Sequence, residues 1–263
     1  MNKKHTFVIP AYKDSPYLED CILSLKKQTL KSEILITTST PSQFISTVVD
    51  KHEIPVIVNS DCKGMSSDWT FAYNNAKKEY VTLAHQDDIY LAKYTETCLA
   101  AAQNDINNLI VSTDYYEMMG DKVKKLDLSR IVKYLLLSPF YFKQDISSQL
   151  FKKMIILFGT PIPCATVMYN KKLIGEFKFS EEFHCNADWD AWLRLSEKKG
   201  SFIYLKSKLL IQRTHKESQT WLQIESNVRQ KEDKLMFERL WPKPIARFLA
   251  ALYSLSTKFY TPD

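Results

Sequence analysis

The sequence predicts an α/β fold, a mostly parallel sheet flanked by helices, followed by a helical C-terminal extension. Two observations carry that prediction. The first third of the chain alternates short β-type runs with helical ones, the pattern of strand–helix–strand units. The last forty or so residues lose the β pattern and carry apolar residues at helical spacing. The 263 residues are 45% hydrophobic and 25% charged, enough apolar material for one large core.

Each element follows from local pattern. Residues 6–9 read as a strand, and 17–28 as a helix with Leu18, Ile22 and Leu25 at helical spacing. Strands at 33–37, 56–59 and 80–84 alternate with helices at 42–52 and 68–77. Ligands in such sheets sit at the carboxyl ends of strands, which directs attention to the residues after Ile9, Ile36 and Ala84. Residues 108–112 read as a further strand and 127–158 as a long helical stretch. Residues 161–169 are β-like after two prolines, 186–195 a helix with Asn186 as N-cap, and 201–205 and 209–213 two strands. From Trp221 the chain reads as helical.

Composition excludes several classes. Five Gly and ten Pro are too few for collagen-like or linker-like chains. A net charge of +6 is far from the basic stripe of a nucleic-acid binder, but suits a polyphosphate ligand or an anionic membrane surface. Five scattered cysteines without a C-x-x-C pair indicate neither a disulfide framework nor a structural zinc site. The N-terminus carries no signal-peptide pattern, and no apolar tract approaches the ~20 residues that span a bilayer. A cytoplasmic protein is expected, with peripheral contact at the inner face of the cell membrane as an alternative.

Three constellations are chemically suggestive. Asp87 and Asp88 end an apolar strand, and adjacent carboxylates there suit a hard divalent cation bridging phosphate oxygens, although a solvated Asp-Asp turn is also common. Asp188 and Asp190 flank Trp189 at a helix start and point to nearly opposite sides. Asp190 with Arg194 reads as a surface i,i+4 salt bridge, leaving Asp188 as a candidate general base. Trp189 and Trp192 read either as walls of a sugar-sized acceptor site or as core residues. His215, with Arg213 and Lys216, suits either a diphosphate or metal site or an ordinary polar segment.

Taken together these residues resemble the family 2 glycosyltransferases, which share the GT-A fold, a Rossmann-like nucleotide-diphospho-sugar transferase architecture. The resemblance covers about residues 5–217. It rests on the segment 7–29 opening Phe7-Val8-Ile9-Pro10-Ala11-Tyr12, on Lys63-Gly64, on 75–80 with His85–Asp88, on the Asp188-Trp189 helix and on Arg213-Thr214-His215. It implies a catalytic domain over 1–217, with a nucleotide-sugar half (1–110) and an acceptor half (111–217), and a helical extension over 218–263. It implies a metal-dependent, inverting transfer of a sugar from a nucleotide diphosphate donor, UDP- or dTDP-sugar foremost, to a glycan or lipid-linked acceptor. Bacterial surface polysaccharide such as capsule or O-antigen is the implied setting. Pro10, Ala11, Tyr12, Asp14, Thr38, Ser39, Gly64, Asp68 and Asp87 would form the nucleotide site, with Tyr12 against the base. Asp87, Asp88 and His215 would hold Mn²⁺ or Mg²⁺, Asp188 would take the acceptor's proton, and Trp189 and Trp192 would face the acceptor.

Four departures from the family pattern fall in this site. Thr37-Thr38-Ser39-Thr40 replaces an acidic pair, Trp69-Thr70 an Arg-Asn, His85 the first Asp of Asp-x-Asp, and Ala187 the acid before the base. Asp68 then reads as a substitute acceptor for the base edge. Two alternatives stay open, a catalytically degenerate binding scaffold and a nucleotidyltransferase, although residues 10–16 lack the glycine that the latter's phosphate loop requires. The C-terminal apolar and basic residues fit a membrane-interface helix, or one packed on the catalytic domain or a dimer partner.

Overall fold

The computed structural model describes residues 4–62, 64–120, 122–215 and 228–257. The first half runs β1 (His5–Ala11), α1 (Leu18–Lys26), β2 (Glu33–Thr38), α2 (Gln43–His52), β3 (Val56–Val58), α3 (Met65–Asn75), β4 (Tyr80–Leu83), β5 (Ile89–Tyr90) and α4 (Tyr94–Asn104). The middle runs β6 (Asn108–Met119), β7 (Lys122–Val123), α5 (Leu128–Leu136), α6 (Pro139–Phe142), β8 (Asp145–Ile146) and α7 (Gln149–Ile155). Then follow a 3-10 turn (Cys164–Thr166), β9 (Val167–Asn170), α8 (Lys171–Ile174), α9 (Ala187–Ser196), β10 (Ser201–Thr214), α10 (Val228–Leu240) and α11 (Lys243–Thr257). Lys63, Lys216 and the start of the predicted C-terminal helix at Trp221 lie outside the described residues.

One sheet organises the molecule, in the order β3-β2-β1-β4-β9-β6-β10-β5, with β7 on β6 and β8 on β10. The half built by the early strand–helix alternation is parallel, as expected: β1 pairs β2 and β4 in parallel, and β2 pairs β3. The other half is mixed. β9 inserts antiparallel between β4 and β6, while β6 and β10 run parallel. Successive β1 side chains point to opposite faces. Phe7, Ile9 and Ala11 join Leu18, Ile22 and Tyr94 in one core layer, and Val8 joins Trp69, Trp189 and Trp192 in the other.

Three expected boundaries change for identifiable reasons. The long helical stretch is broken into α5, α6, β8 and α7, and Pro139, which lacks an N–H, starts the second piece as its first helical residue. The two late strands are one, β10, with register shifts around Lys208 that break its apolar pattern. Helix α3 begins three residues early because Gly64, at φ +116°, turns the chain where a side chain is disfavoured.

The C-terminal helices pack on the core layer that holds α9. Met236 and Phe237 of α10 are buried, and Phe237 and Tyr253 stand against Trp189. Glu232, 4% exposed, accepts hydrogen bonds from the backbone N–H groups of His184 (2.7 Å), Cys185 (2.8 Å) and Asn186 (3.1 Å). The Asn186 side chain does not cap α9; it donates to Asp233 Oδ1 at 2.8 Å. Arg239 adds a bond to Asp190 Oδ1 at 2.5 Å. Glu232→Ala strands three backbone donors in a turn that is exposed at His184 and buried at Asn186, so it is expected to cost about 1–3 kcal/mol, read as a lower urea midpoint at unchanged slope.

Candidate active site

A cleft of about 590 Å³ opens where β1, β4 and β10 end, a volume in the usual range of small-molecule sites. Its lining comes from four places: Pro10 and residues 12–16 at the end of β1, the start of α3, residues 85–88 after β4, and Gln212, Arg213 and His215 at the end of β10. The far wall is Pro163, Cys164, His184, Cys185 and Asp188.

At the first end, β1 runs out through Pro10 into Tyr12, Lys13 and Asp14. Lys13 is left-handed (φ +55°), a conformation costly for a side-chain-bearing residue and common where a loop is shaped for a ligand. Two bonds hold this turn: Tyr12 N–H donates to Gln86 Oε1 and Gln86 Nε2 donates to the Tyr12 carbonyl, both at 2.9 Å. The Gln86 amide thus pairs the loop after β4 with the loop after β1 as a strand neighbour would. Asp14 Oδ1 accepts from Ser42, the N-cap of α2, at 2.6 Å. The exposed Tyr12 ring lines the cleft.

The expected nucleotide residues separate into lining and supporting ones. Pro10, Tyr12, Asp14, Gly64, Asp68 and Asp87 line the cleft. Ala11 does not; it is 1% exposed and its methyl packs in the core. Thr38 and Ser39 lie behind the lining. Thr38 is buried, and Ser39 donates to Asp68 Oδ2 at 2.7 Å while Asn59 donates to Asp68 Oδ1 at 2.8 Å. The Asp68 carboxylate is thereby aimed from both sides, with lone pairs left to accept more.

The acidic pair divides its work. Asp87 accepts from Ser15 Oγ at 2.6 Å and lies 3.2 Å from His215 Nε2, an ion pair when the imidazole is protonated. Asp88 is buried, accepts from the Arg213 backbone N–H at 3.1 Å, and leaves Oδ2 without a protein partner. Burial pushes its carboxyl well above the usual range. Arg213 itself is held away from the cleft centre, paired with Asp20 at 2.8 Å and 4.7 Å over the Tyr17 ring. His85 stacks on Trp69 and is pulled down to about 4 by burial, so it is neutral at pH 7.

No set of three or more His, Cys, Asp or Glu side chains among the described residues is gathered closely enough to hold a metal alone. The donors nevertheless suit Mg²⁺ or Mn²⁺, hard ions that take one or two carboxylates and fill the rest of their shell with phosphate and water. The buried, unpartnered Asp88 Oδ2 beside Asp87 is the oxygen such an ion requires.

Asp188 stands in the first turn of α9 and faces the cleft. Its Oδ1 accepts from Trp189 N–H at 2.7 Å, yet burial outweighs this and pushes the carboxyl up to about 6. Asp190 points the other way, as two-residue helical spacing requires. The expected salt bridge with Arg194 is present as half of a network around a buried carboxylate: Asp190 is 1% exposed and binds both Arg194 (2.8 Å) and Arg239, whose own side chains reach the surface. The acceptor role expected of Trp189 and Trp192 is overturned. Both are fully buried, their indole N–H groups donating at 2.9 Å to the carbonyls of Ile156 and Ile162. They carry α9 rather than line the site.

Sequence reasoning missed Gln86, Ser15 and Glu232. The first two lie inside segments that carried the resemblance, 7–29 and His85–Asp88, but no chemistry of their own singled them out. Glu232 had none, since it binds backbone groups more than forty residues away.

The sequence matches no curated protein. Among solved structures, residues 1–349 of S. aureus TarS in complex with UDP align with TM-score 0.63 at 15% identity, over 98% of this chain and 72% of that one. The same fragment in complex with UDP-GlcNAc aligns with TM-score 0.62 at 14% identity, over 95% and 71%. Glucosyl-3-phosphoglycerate synthase from Mycobacterium tuberculosis in complex with UDP aligns with TM-score 0.60 at 12% identity, over 90% and 80%. Against the longer TarS chain the alignment spans only 42% of that protein. These likenesses establish the GT-A architecture, and the model of glycosyl transferase family 2 matches residues 6–166. The chain belongs to glycosyl transferase family 2.

Proposed function

We propose that the protein is an inverting glycosyltransferase that moves a sugar from a nucleoside diphosphate donor, a UDP- or dTDP-sugar, to a hydroxyl of a glycan or lipid-linked acceptor in surface polysaccharide synthesis. The observation that carries this reading is the pairing, in one cleft, of a carboxylate tuned to about 6 with an acidic pair across from it. A base works best with its pKa near the operating pH. The solved structures that share this architecture hold UDP or UDP-GlcNAc, which supports a uridine donor.

In the proposed reaction the acceptor oxygen attacks the anomeric carbon from the face opposite the diphosphate. Asp188 takes the hydroxyl proton as the new C–O bond forms. The anomeric C–O bond breaks and its electron pair leaves on the diphosphate, so configuration inverts. Tyr12 borders the nucleobase, and Asp68, fixed by Ser39 and Asn59, accepts from a ring N–H on the base edge. When bound at Asp87 and Asp88, with His215 alongside, Mg²⁺ or Mn²⁺ supplies electrostatic stabilisation of the departing diphosphate. Ser15 and His215 orient Asp87 for that task.

Two outcomes test the proposal. In thermal shift with UDP, dTDP, GDP and CDP, each with Mn²⁺ or EDTA, one nucleotide is expected to stabilise the wild type in a metal-dependent way and to lose that effect in Asp88→Ala; no shift with any of them contradicts the donor reading. Asp188→Asn is expected to lower turnover about 10²–10⁴-fold while donor-induced stabilisation persists. The same variant gains stability at pH 7. A carboxyl raised from 3.8 to about 6 favours the folded state less as pH climbs through that window, so removing its charge returns up to about 3 kcal/mol. A variant that is fully active, or no more stable, removes Asp188 from the role of desolvated base.

A further inference from the structure

Helix α5 is amphipathic in the inverted sense. Its cationic face is turned into the protein: Arg130, 8% exposed, pairs with Asp114 and lies 3.8 Å over the Tyr115 ring, and Lys133 donates to Tyr115 Oη at 2.6 Å and Glu117 at 3.4 Å. Its apolar stripe at i, i+3, i+4 and i+7 faces solvent instead: Leu128 is 70% exposed, Ile131 43%, Val132 41% and Leu135 65%. The stripe continues past both ends of the helix, with Leu126 at 65% before it and Phe142, on α6, at 95% after it. Exposed apolar surface this continuous marks an interaction face.

Charge decides what covers it. Residues 122–158 carry eight Lys and Arg against two Asp, a net charge equal to that of the whole 263-residue chain, and of these cations Arg130, Lys133 and Lys152 are turned inward. Lys122, Lys125 and Lys143 lie exposed at the margins of the stripe. A second copy apposed on this face would bring like charges together, which disfavours self-association. An anionic bilayer meets both features, accepting apolar side chains to the depth of the acyl boundary and cations at the headgroups. No helix among the described residues is long and apolar enough to cross a membrane, so the contact is interfacial.

We propose that α5 and α6 form a docking surface for an anionic lipid bilayer, with Leu128, Ile131, Leu135 and Phe142 inserted and the marginal lysines on the headgroups. The surface adjoins the base-bearing end of the cleft. Pro161 and Ile162 pack with Lys133 and Tyr134 around one small cavity, and Pro163 and Cys164 directly follow in the wall that also holds Asp188. Docked this way, the protein presents that end of the cleft near the membrane plane, where a lipid-linked acceptor stands. The surface itself does not depend on the donor reading.

Co-sedimentation with phosphatidylcholine vesicles, with and without phosphatidylglycerol, tests it. The full chain is expected to pellet with the phosphatidylglycerol vesicles and to be released by salt. L128E/L135E and F142S, all at exposed positions, are each expected to weaken that binding by about tenfold or more while keeping the nucleotide-induced thermal shift. Failure of the wild type to bind, equal binding by these variants, or a concentration-dependent dimer that L128E/L135E dissolves would each overturn the proposal. Loss of the nucleotide shift with vesicle binding intact would instead overturn the donor reading alone.

Discussion

The site depends on one buried carboxylate that stands behind its far wall and holds that wall by its backbone. Glu232 gathers the N–H groups of residues 184–186 and so fixes the turn from which α9, and with it Asp188, departs. The turn is irregular, and without an acceptor its donors would be lost to burial. Glu232 therefore makes α10 part of the framework of the cleft. Arg239 on the same helix anchors Asp190, so that α9 is held at its start and one turn into its length. The two tryptophans of α9 complete the mounting by filling the layer below it.

That mounting lets the fold sustain a cost at Asp188. A half-solvated carboxylate would titrate near its ordinary value, but here desolvation wins over the helix N-terminus and the Trp189 N–H, which both favour the charge. The opposite end of the cleft uses a different device. There the end of β2 carries the neutral Thr38 and Ser39, and the negative charge sits on Asp68, held by Ser39 and Asn59.

Much of this was legible in the sequence. The alternation of apolar strands with amphipathic helices carried the parallel half of the sheet, and the positions of Asp87, Asp88 and Asp188 followed from motif order. What stayed hidden was long-range. β9 enters the sheet between strands far from it in the chain, and nothing local to residues 167–170 marks the pairing. Trp189 and Trp192 illustrate a second limit, since an aromatic at a helix start looks the same whether it lines a cleft or fills a core. In α5 the periodicity was plain but its direction was not: which face turns inward was settled by Asp114 and Glu117, two carboxylates on β6 that claim Arg130 and Lys133.

The proposed chemistry turns on Asp188 as a desolvated carboxylate poised to accept a proton near neutrality. The pH dependence of kcat/KM, followed as nucleoside diphosphate release, addresses it directly, because the acid limb reports the free enzyme's essential base. Activity is expected to fall below a midpoint of about 6, the value burial imposes on Asp188. This limb is expected to disappear from the residual activity of Asp188→Asn. A rate that stays level down to the ordinary aspartate range, or a limb that persists in the variant, would contradict it.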